Sequence, residues 1–152
     1  MPPPTLSYCL RRAHREDAVE LARLLTLLGH PTSAEAVDRR WSEWADAGNH
    51  AFVAVGTGQD LLGVATLHRT EVLHRPRPVG RITALVVDPA WRGRGIGKAL
   101  VVASEADLRA AGCGLLEVTS NLRLDDAHAF YEHLGYVRTS LRFAKTLSDA
   151  PG

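Results

Sequence analysis

Cysteine is scarce: only Cys9 and Cys113 occur in 152 residues, far apart in the chain. That excludes a disulfide framework and suits a reducing compartment in which both stay thiols. No stretch approaches the roughly 18 consecutive apolar residues of a membrane span. The opening "MPPPTLSY" lacks a basic leader followed by an apolar run. Both absences predict a soluble, cytoplasmic protein with no membrane partner. Charge of one sign is missing too. Eighteen Lys and Arg balance 17 Asp and Glu, for a formal net charge of +1. This argues against a protein whose main work is gripping a nucleic-acid backbone. Internal repeats and low-complexity segments are absent, and the length suits one domain over 1–152, with 1–4 and 148–152 as flexible ends.

Several chemistries are missing as well. The seven histidines show no ligand spacing on one helix face, His128 and His133 being five apart, so no metal site is expected. No Gly-x-Ser-x-Gly elbow occurs. Cys113 follows Gly112 instead of opening a helix that would lower its pKa, which argues against a protein nucleophile.

What is present reads as a mixed α/β pattern. Residues 6–13 suit a strand, and Ala18, Leu21, Leu24, Leu25 and Leu28 recur at helical spacing. Pro31 interrupts, and Thr32 or Ser33 caps a second helix ending before Gly48, with Val37, Trp41 and Trp44 as its apolar stripe. "AFVAVG" and "LLGVATLHRT" form a hairpin across "TGQD". "ITALVVDP", apolar on both alternating faces, reads as a central strand. A helix from about Ile96 to Ala111, a strand over 115–120, a helix over 125–135 and one or two closing strands over 136–147 complete the order β-α-α-β-β-β-α-β-α-β.

Between the central strand and the helix that follows stands "DPAWRGRGIGKAL". Gly93, Gly95 and Gly97 remove three side chains where backbone N–H groups would be screened. The turn runs into a helix N-terminus, which already favours an anion. Arg92, Arg94 and Lys98 add positive charge, so a phosphate or pyrophosphate is the natural guest. A Walker A loop is excluded, because Arg92 stands where its first glycine belongs and Ala99 where its Ser or Thr belongs. The dinucleotide fingerprint fails at Lys98, which replaces its third glycine.

These residues resemble the GNAT superfamily of N-acetyltransferases, whose acetyl-CoA loop reads R/Q-x-x-G-x-G/A after a central strand. Here it stands as Arg92-Gly93-Arg94-Gly95-Ile96-Gly97 behind "LVVDPAW". The downstream stretch "LLEVTSNLRLDDAHAFYEHLGY" is similar to the family's second signature at Asn121, Ala127, Phe130, Tyr131, Gly135 and Tyr136. The resemblance implies a mixed sheet flanked by about four helices and splayed between its fourth and fifth strands. It implies that the backbone of Leu85, Val86 and Val87 pairs with the pantetheine arm, and that the amides of Gly93 to Lys98, Ile96 included, hold the pyrophosphate.

The reaction implied is direct transfer of acetyl from acetyl-CoA to a primary amine in a ternary complex. An alkyl ammonium, with a pKa of about 10.4, must first lose a proton, so a base or a water relay is needed. A main-chain N–H near Val86 would stabilise the oxyanion. By family position Tyr131 is the acid that protonates the departing thiolate, although its i, i+3, i+4 spacing with Ala127 and Phe130 also suits packing. No carboxylate lies between Arg81 and Val87, where some members carry one. Glu117 matches a base position in relatives that acetylate protein N-termini; Glu71, His74 and His68 are weaker candidates. Asn121 suits a hydrogen bond to the cofactor or a catalytic water. The acceptor is open between a small-molecule amine and a peptide or protein amine, as is a homodimer. Trp41 and Trp44 suit either an acceptor pocket or the core. The alternative is a non-catalytic acetyl-CoA-binding regulatory module.

Overall fold

The computed structural model describes residues 6–119 and 125–148, so the expectations about the two extreme ends fall largely outside the described residues, and Asn121 lies there too. The chain divides into two compact units, 1–118 and 119–152. The first begins with β1 (Tyr8–Arg12) and a 3-10 turn at Arg15–Asp17 that leads into α1 (Ala18–Leu27). Ser33 then caps α2 (Ala34–Asp46), its hydroxyl accepting from the Ala36 amide at 3.1 Å. Three strands follow: β2 (Asn49–Gly56), β3 (Leu61–Thr70) and β4 (Val79–Val87). The expected hairpin closes with the Gly56 amide donating to the Asp60 carbonyl at 2.9 Å. After a second 3-10 turn at Pro89–Trp91 come α3 (Ile96–Ala110) and β5 (Leu115–Val118).

The sheet order is β1-β2-β3-β4-β5, antiparallel throughout except for the parallel pair β4–β5. A parallel neighbour requires a crossover, and α3 supplies it. Gly80 shows how closely that helix packs: a Cβ there would stand 2.7 Å from Leu108 Cδ1. Leu100 and Ile96 on α3 bury with Ala54, Leu62 and Ala65 on one side of the sheet. Leu21 and Leu24 of α1 bury with Val53, Val64 and Val86 on the other, and Val37, Trp41 and Trp44 of α2 pack against that cluster.

Two features of β4 position the site. Its pairing with β5 covers only Val79 to Ile82. Thr83 is an extra residue in the ladder, because Leu67 faces Ile82 while Thr66 faces Ala84. Such a bulge bends a strand and raises its local twist. From Thr83 to Val87, β4 therefore has β3 on one side and no paired strand on the other among the described residues. This is the expected splay.

In the second unit α4 (Asp125–His133) ends in a turn in which the Tyr136 amide donates to the Tyr131 carbonyl at 3.0 Å and Gly135 takes φ +93°. The closing strands expected over 136–147 are absent: the chain there is irregular, and Val137, Leu141, Phe143 and Leu147 stand exposed. Alternating apolar residues permit a strand, but a strand persists only where a neighbour completes its hydrogen bonds.

Candidate active site

The glycine-rich turn begins where β4 ends. Asp88 donates its amide to the Leu62 carbonyl at 2.8 Å, and its carboxylate accepts from the Ala90 amide at 3.0 Å and from Arg23 Nη1 at 2.6 Å. Arg23 also donates to the Glu20 carboxylate at 2.7 Å and to the Leu61 carbonyl at 2.8 Å, and Glu20 accepts from the Leu61 amide at 3.1 Å. α1, β3 and the 3-10 turn thus fix the base of the loop at Asp88. The Ala90 amide, then Arg23, hold the Asp88 carboxyl below its ordinary pKa. Hydrogen bonding to Glu20 raises that of Arg23.

Gly93 and Gly95 take φ of +76° and +81°, a region L side chains rarely adopt. A Cβ at either would meet nothing within 4 Å, so backbone conformation demands the glycine there, not crowding. Gly95 is the N-cap of α3 and provides no side-chain acceptor. The first bond of that helix is Ala99 N–H to Gly95 C=O at 3.0 Å. The amides of Ile96, Gly97 and Lys98 precede it and have no helical acceptor. Ile96 is 1% exposed, packed into the core beneath the loop, so its share in any site is its main chain alone. Arg92 Nε donates to the Val87 carbonyl at 3.2 Å, and Arg94 lies 5.1 Å over the Trp91 ring. Lys98 is exposed on the first turn. These donors and cations fit the diphosphate of coenzyme A: among the described residues the turn's first helical N–H groups have no acceptor, no side chain fills it, and positive charge lies on its rim.

The splayed half of β4 supplies the second part. Antiparallel ladders alternate, so the Asp88 amide directed at β3 puts the Val86 main chain on β3 as well. Leu85 and Val87 then direct their N–H and C=O groups to the opposite, unpaired edge. The Val87 carbonyl is indeed the one Arg92 reaches. Edge groups of this kind are a template for an added extended segment.

On the α1–α2 side of the same strand the Thr66 and Thr83 hydroxyls lie 2.7 Å apart, at the bulge. Beside them is a cavity of about 130 Å³ whose lining includes Thr66, Trp41, Trp44 and Leu21. The two indoles are tilted against each other, with centroids 5.1 Å apart. They pack on the core cluster and also form part of the cavity wall. Glu117 faces Arg81 across the β4–β5 pair, with Arg81 Nη2 at 3.3 Å from its carboxylate, both half-exposed. Arg81 in turn faces His68 on β3, whose Nδ1 is buried without a hydrogen-bond partner. No local sequence pattern marks that nitrogen. Glu71 instead lies exposed beside Arg69, and His74 is exposed in the loop before β4.

Tyr131 lies on α4, edge-on to Phe130 at 5.2 Å and to Tyr136 at 5.8 Å. Burial pushes its phenol above the ordinary value of 10, so it keeps its proton through neutral pH. Among the described residues no three His, Cys, Asp or Glu side chains group to hold a metal, and no helix is long and apolar enough to cross a membrane.

An open mixed sheet whose central strand splays and then runs into an anion-receiving turn defines a class of coenzyme-A-dependent transferases. The family model described as the acetyltransferase (GNAT) family matches residues 15–136. The aminoalkylphosphonate N-acetyltransferase of Salmonella typhimurium is 34% identical over 140 residues, covering 91% of this chain and 90% of that protein. Aminoglycoside N(6')-acetyltransferase type 1 of Stenotrophomonas maltophilia is 31% identical over 135 residues, covering 86% of each. The crystal structure of a Trypanosoma brucei acetyltransferase superposes with a TM-score of 0.82 at 28% identity, over 93% of this chain and 100% of that one. The chain belongs to the GNAT family of acetyltransferases, a family that uses acetyl-CoA, and it is an N-acetyltransferase.

Proposed function

We propose that this enzyme transfers acetyl directly from acetyl-CoA to the primary amine of a small molecule, both bound at once, with no acyl-enzyme. The single observation that carries the reading is the set of unpaired amides at Ile96, Gly97 and Lys98, reached through two glycines of positive φ. These amides hold the diphosphate, with Arg92, Arg94 and Lys98 adding charge around it. The edge groups of Leu85 and Val87, on either side of Val86, pair with the pantetheine arm and leave the thioester at the splay. The match over 15–136 spans both compact units, which supports their working as a single domain. The two relatives named above are called acetyltransferases of an aminoalkylphosphonate and of an aminoglycoside, which supports a small-molecule acceptor.

The thioester supplies an acetyl group already activated for attack. In the transfer an N–C bond forms and the C–S bond breaks. One proton leaves the amine and one reaches sulfur. Tyr131 delivers the second, since its buried phenol stays protonated at working pH. Glu117, in the paired stretch of β5 just before the splay and held by Arg81, takes the first, directly or through water. An amide on the free edge of β4 steadies the developing oxygen charge. The role of Asn121, which lies outside the described residues, rests on its place in the family's second signature, which assigns it a hydrogen bond to the cofactor or to a catalytic water.

The test follows thiol release from acetyl-CoA across a panel of amines. Tyr131→Phe lowers kcat by about a hundredfold, the lower range for loss of a positioned acid, with acetyl-CoA affinity within about twofold of wild type. An unchanged kcat removes Tyr131 from this role. Acetyl-CoA that binds without thiol release in the presence of any amine overturns the reading as a transferase.

A further inference from the structure

From the cavity between α1, α2 and the sheet, we infer that the acceptor of this enzyme is a primary amine carrying an uncharged, apolar group about the size of a benzene ring, and that Trp41 and Trp44 select it. The inference rests on the transfer reading above and names its substrate class. The cavity holds about 130 Å³, too little for a whole drug-sized ligand and suited to one ring or branched aliphatic group. Its accessible wall is apolar throughout, formed by Leu21, Leu25, Trp41, Trp44, Ala51 and Thr66. The cavity is open on one side, so an apolar group can enter it, and its walls offer a water inside no hydrogen-bond partner. An apolar group entering it therefore displaces no firmly held water, whereas a hydroxyl, phosphonate or second ammonium would lose its hydration and find no partner.

Its place in the fold ties the cavity to the chemistry. Thr66 belongs to the wall, and its hydroxyl is 2.7 Å from that of Thr83, the first residue of β4 beyond the pairing with β5. A group seated against the indoles thus leaves its amine, on a short tether, at the start of the splay. The two indoles, 48° apart in plane, give faces for edge-on and offset contact with a ring. Arg40 adds its aliphatic stem to the wall and puts a cation at this site, which further disfavours acceptors with several ammonium groups. The polar acceptors in the names of the two relatives are thereby set apart from the acceptor of this chain.

The experiment compares 2-phenylethylamine and 3-methylbutylamine with ethanolamine, 2-aminoethylphosphonate and kanamycin, reading kcat/KM by thiol release and binding by tryptophan fluorescence. The expected result is a preference of at least about thirtyfold for the two apolar amines, with 2-phenylethylamine perturbing the fluorescence. Ala51→Leu, which fills the cavity, lowers kcat/KM for 2-phenylethylamine at least about tenfold with acetyl-CoA affinity retained. Should that variant fail to fold, Trp44→Ala enlarges the space, and the preference moves toward bulkier groups such as naphthylmethylamine. Equal or better turnover of the polar amines, with no fluorescence response to 2-phenylethylamine, overturns the inference while leaving the transferase reading intact. Fluorescence quenched by 2-phenylethylamine without thiol release from any amine upholds the cavity and overturns the transferase reading instead.

Discussion

The loop over 92–98 and the cavity beside Trp41 and Trp44 lie at the two ends of one strand's working stretch and are built by opposite means. At the loop, donors are main-chain amides, side chains are withdrawn, and the one apolar side chain, Ile96, is buried in the core beneath. At the cavity, side chains from α1, α2, β2 and β3 make the wall, and the backbone contributes only the bulge that sets Thr83 against Thr66. On the function proposed above the contrast has a reason: a diphosphate is the same in every reaction of a coenzyme and suits a fixed array of amides, whereas an acceptor differs from enzyme to enzyme and suits exchangeable side chains.

The sharpest way to break this contrast is to alter the backbone site through its glycine. Gly95→Asp places a carboxylate at φ +81° at the N-cap of α3, where it accepts the amides meant for phosphate and repels the anion. Calorimetry is expected to show acetyl-CoA affinity reduced about a thousandfold, roughly 4 kcal/mol, the loss of two charge-assisted hydrogen bonds. The melting temperature falls as well, because an L side chain at φ +81° is strained, so calorimetry is run well below it.

A smaller effect marks the cavity side. Thr66→Val keeps the volume and removes the hydroxyl bonded to Thr83, whose own hydroxyl keeps only the longer bond to the Thr66 carbonyl at 3.2 Å. Steady-state kinetics should give an acceptor KM raised about fivefold, roughly 1 kcal/mol, with acetyl-CoA affinity unchanged. Removing a loop side chain without touching the amides should matter least for the cofactor. Lys98→Ala weakens acetyl-CoA binding only about threefold, in the range of an exposed charge, and the deficit fades as salt is raised.

The base of the loop responds to pH. The folded-state pKa of Asp88 is depressed, so its contribution to stability is fully present above the ordinary value of 3.8 and is lost as pH falls through the lower folded value. Melting temperatures of wild type and Asp88→Asn should therefore differ at neutral pH and converge below about pH 4. A gap that persists in acid would contradict the Arg23–Asp88 link.

The sequence disclosed the two regions unequally, for the same reason that they differ. A site made of backbone leaves its mark in residue type: glycines at 93, 95 and 97 with a helix after them state a conformation, and α3 begins at Ile96 as the spacing demands. The length and apolar character of β4 likewise marked it as central. A site made of side chains depends on which elements meet. Trp41 and Trp44 showed a helical stripe, but a stripe does not say whether it closes on the sheet or leaves a space against it. The bulge at Thr83 and the partnerless Nδ1 of His68 arise from register between strands, which no local pattern encodes. The irregular stretch over 136–147 makes the converse point, for alternation along a sequence does not by itself form a strand.

The most direct measurement follows the backbone amide resonances of residues 93–98 by nitrogen-15 NMR as coenzyme A, and separately pantetheine, is added. The account predicts that coenzyme A moves the amide protons of Ile96, Gly97 and Lys98 strongly downfield, as new hydrogen bonds to an anion do, while pantetheine leaves them in place and shifts Leu85 and Val87. Resonances at 96–98 that stay unmoved at saturating coenzyme A would contradict it.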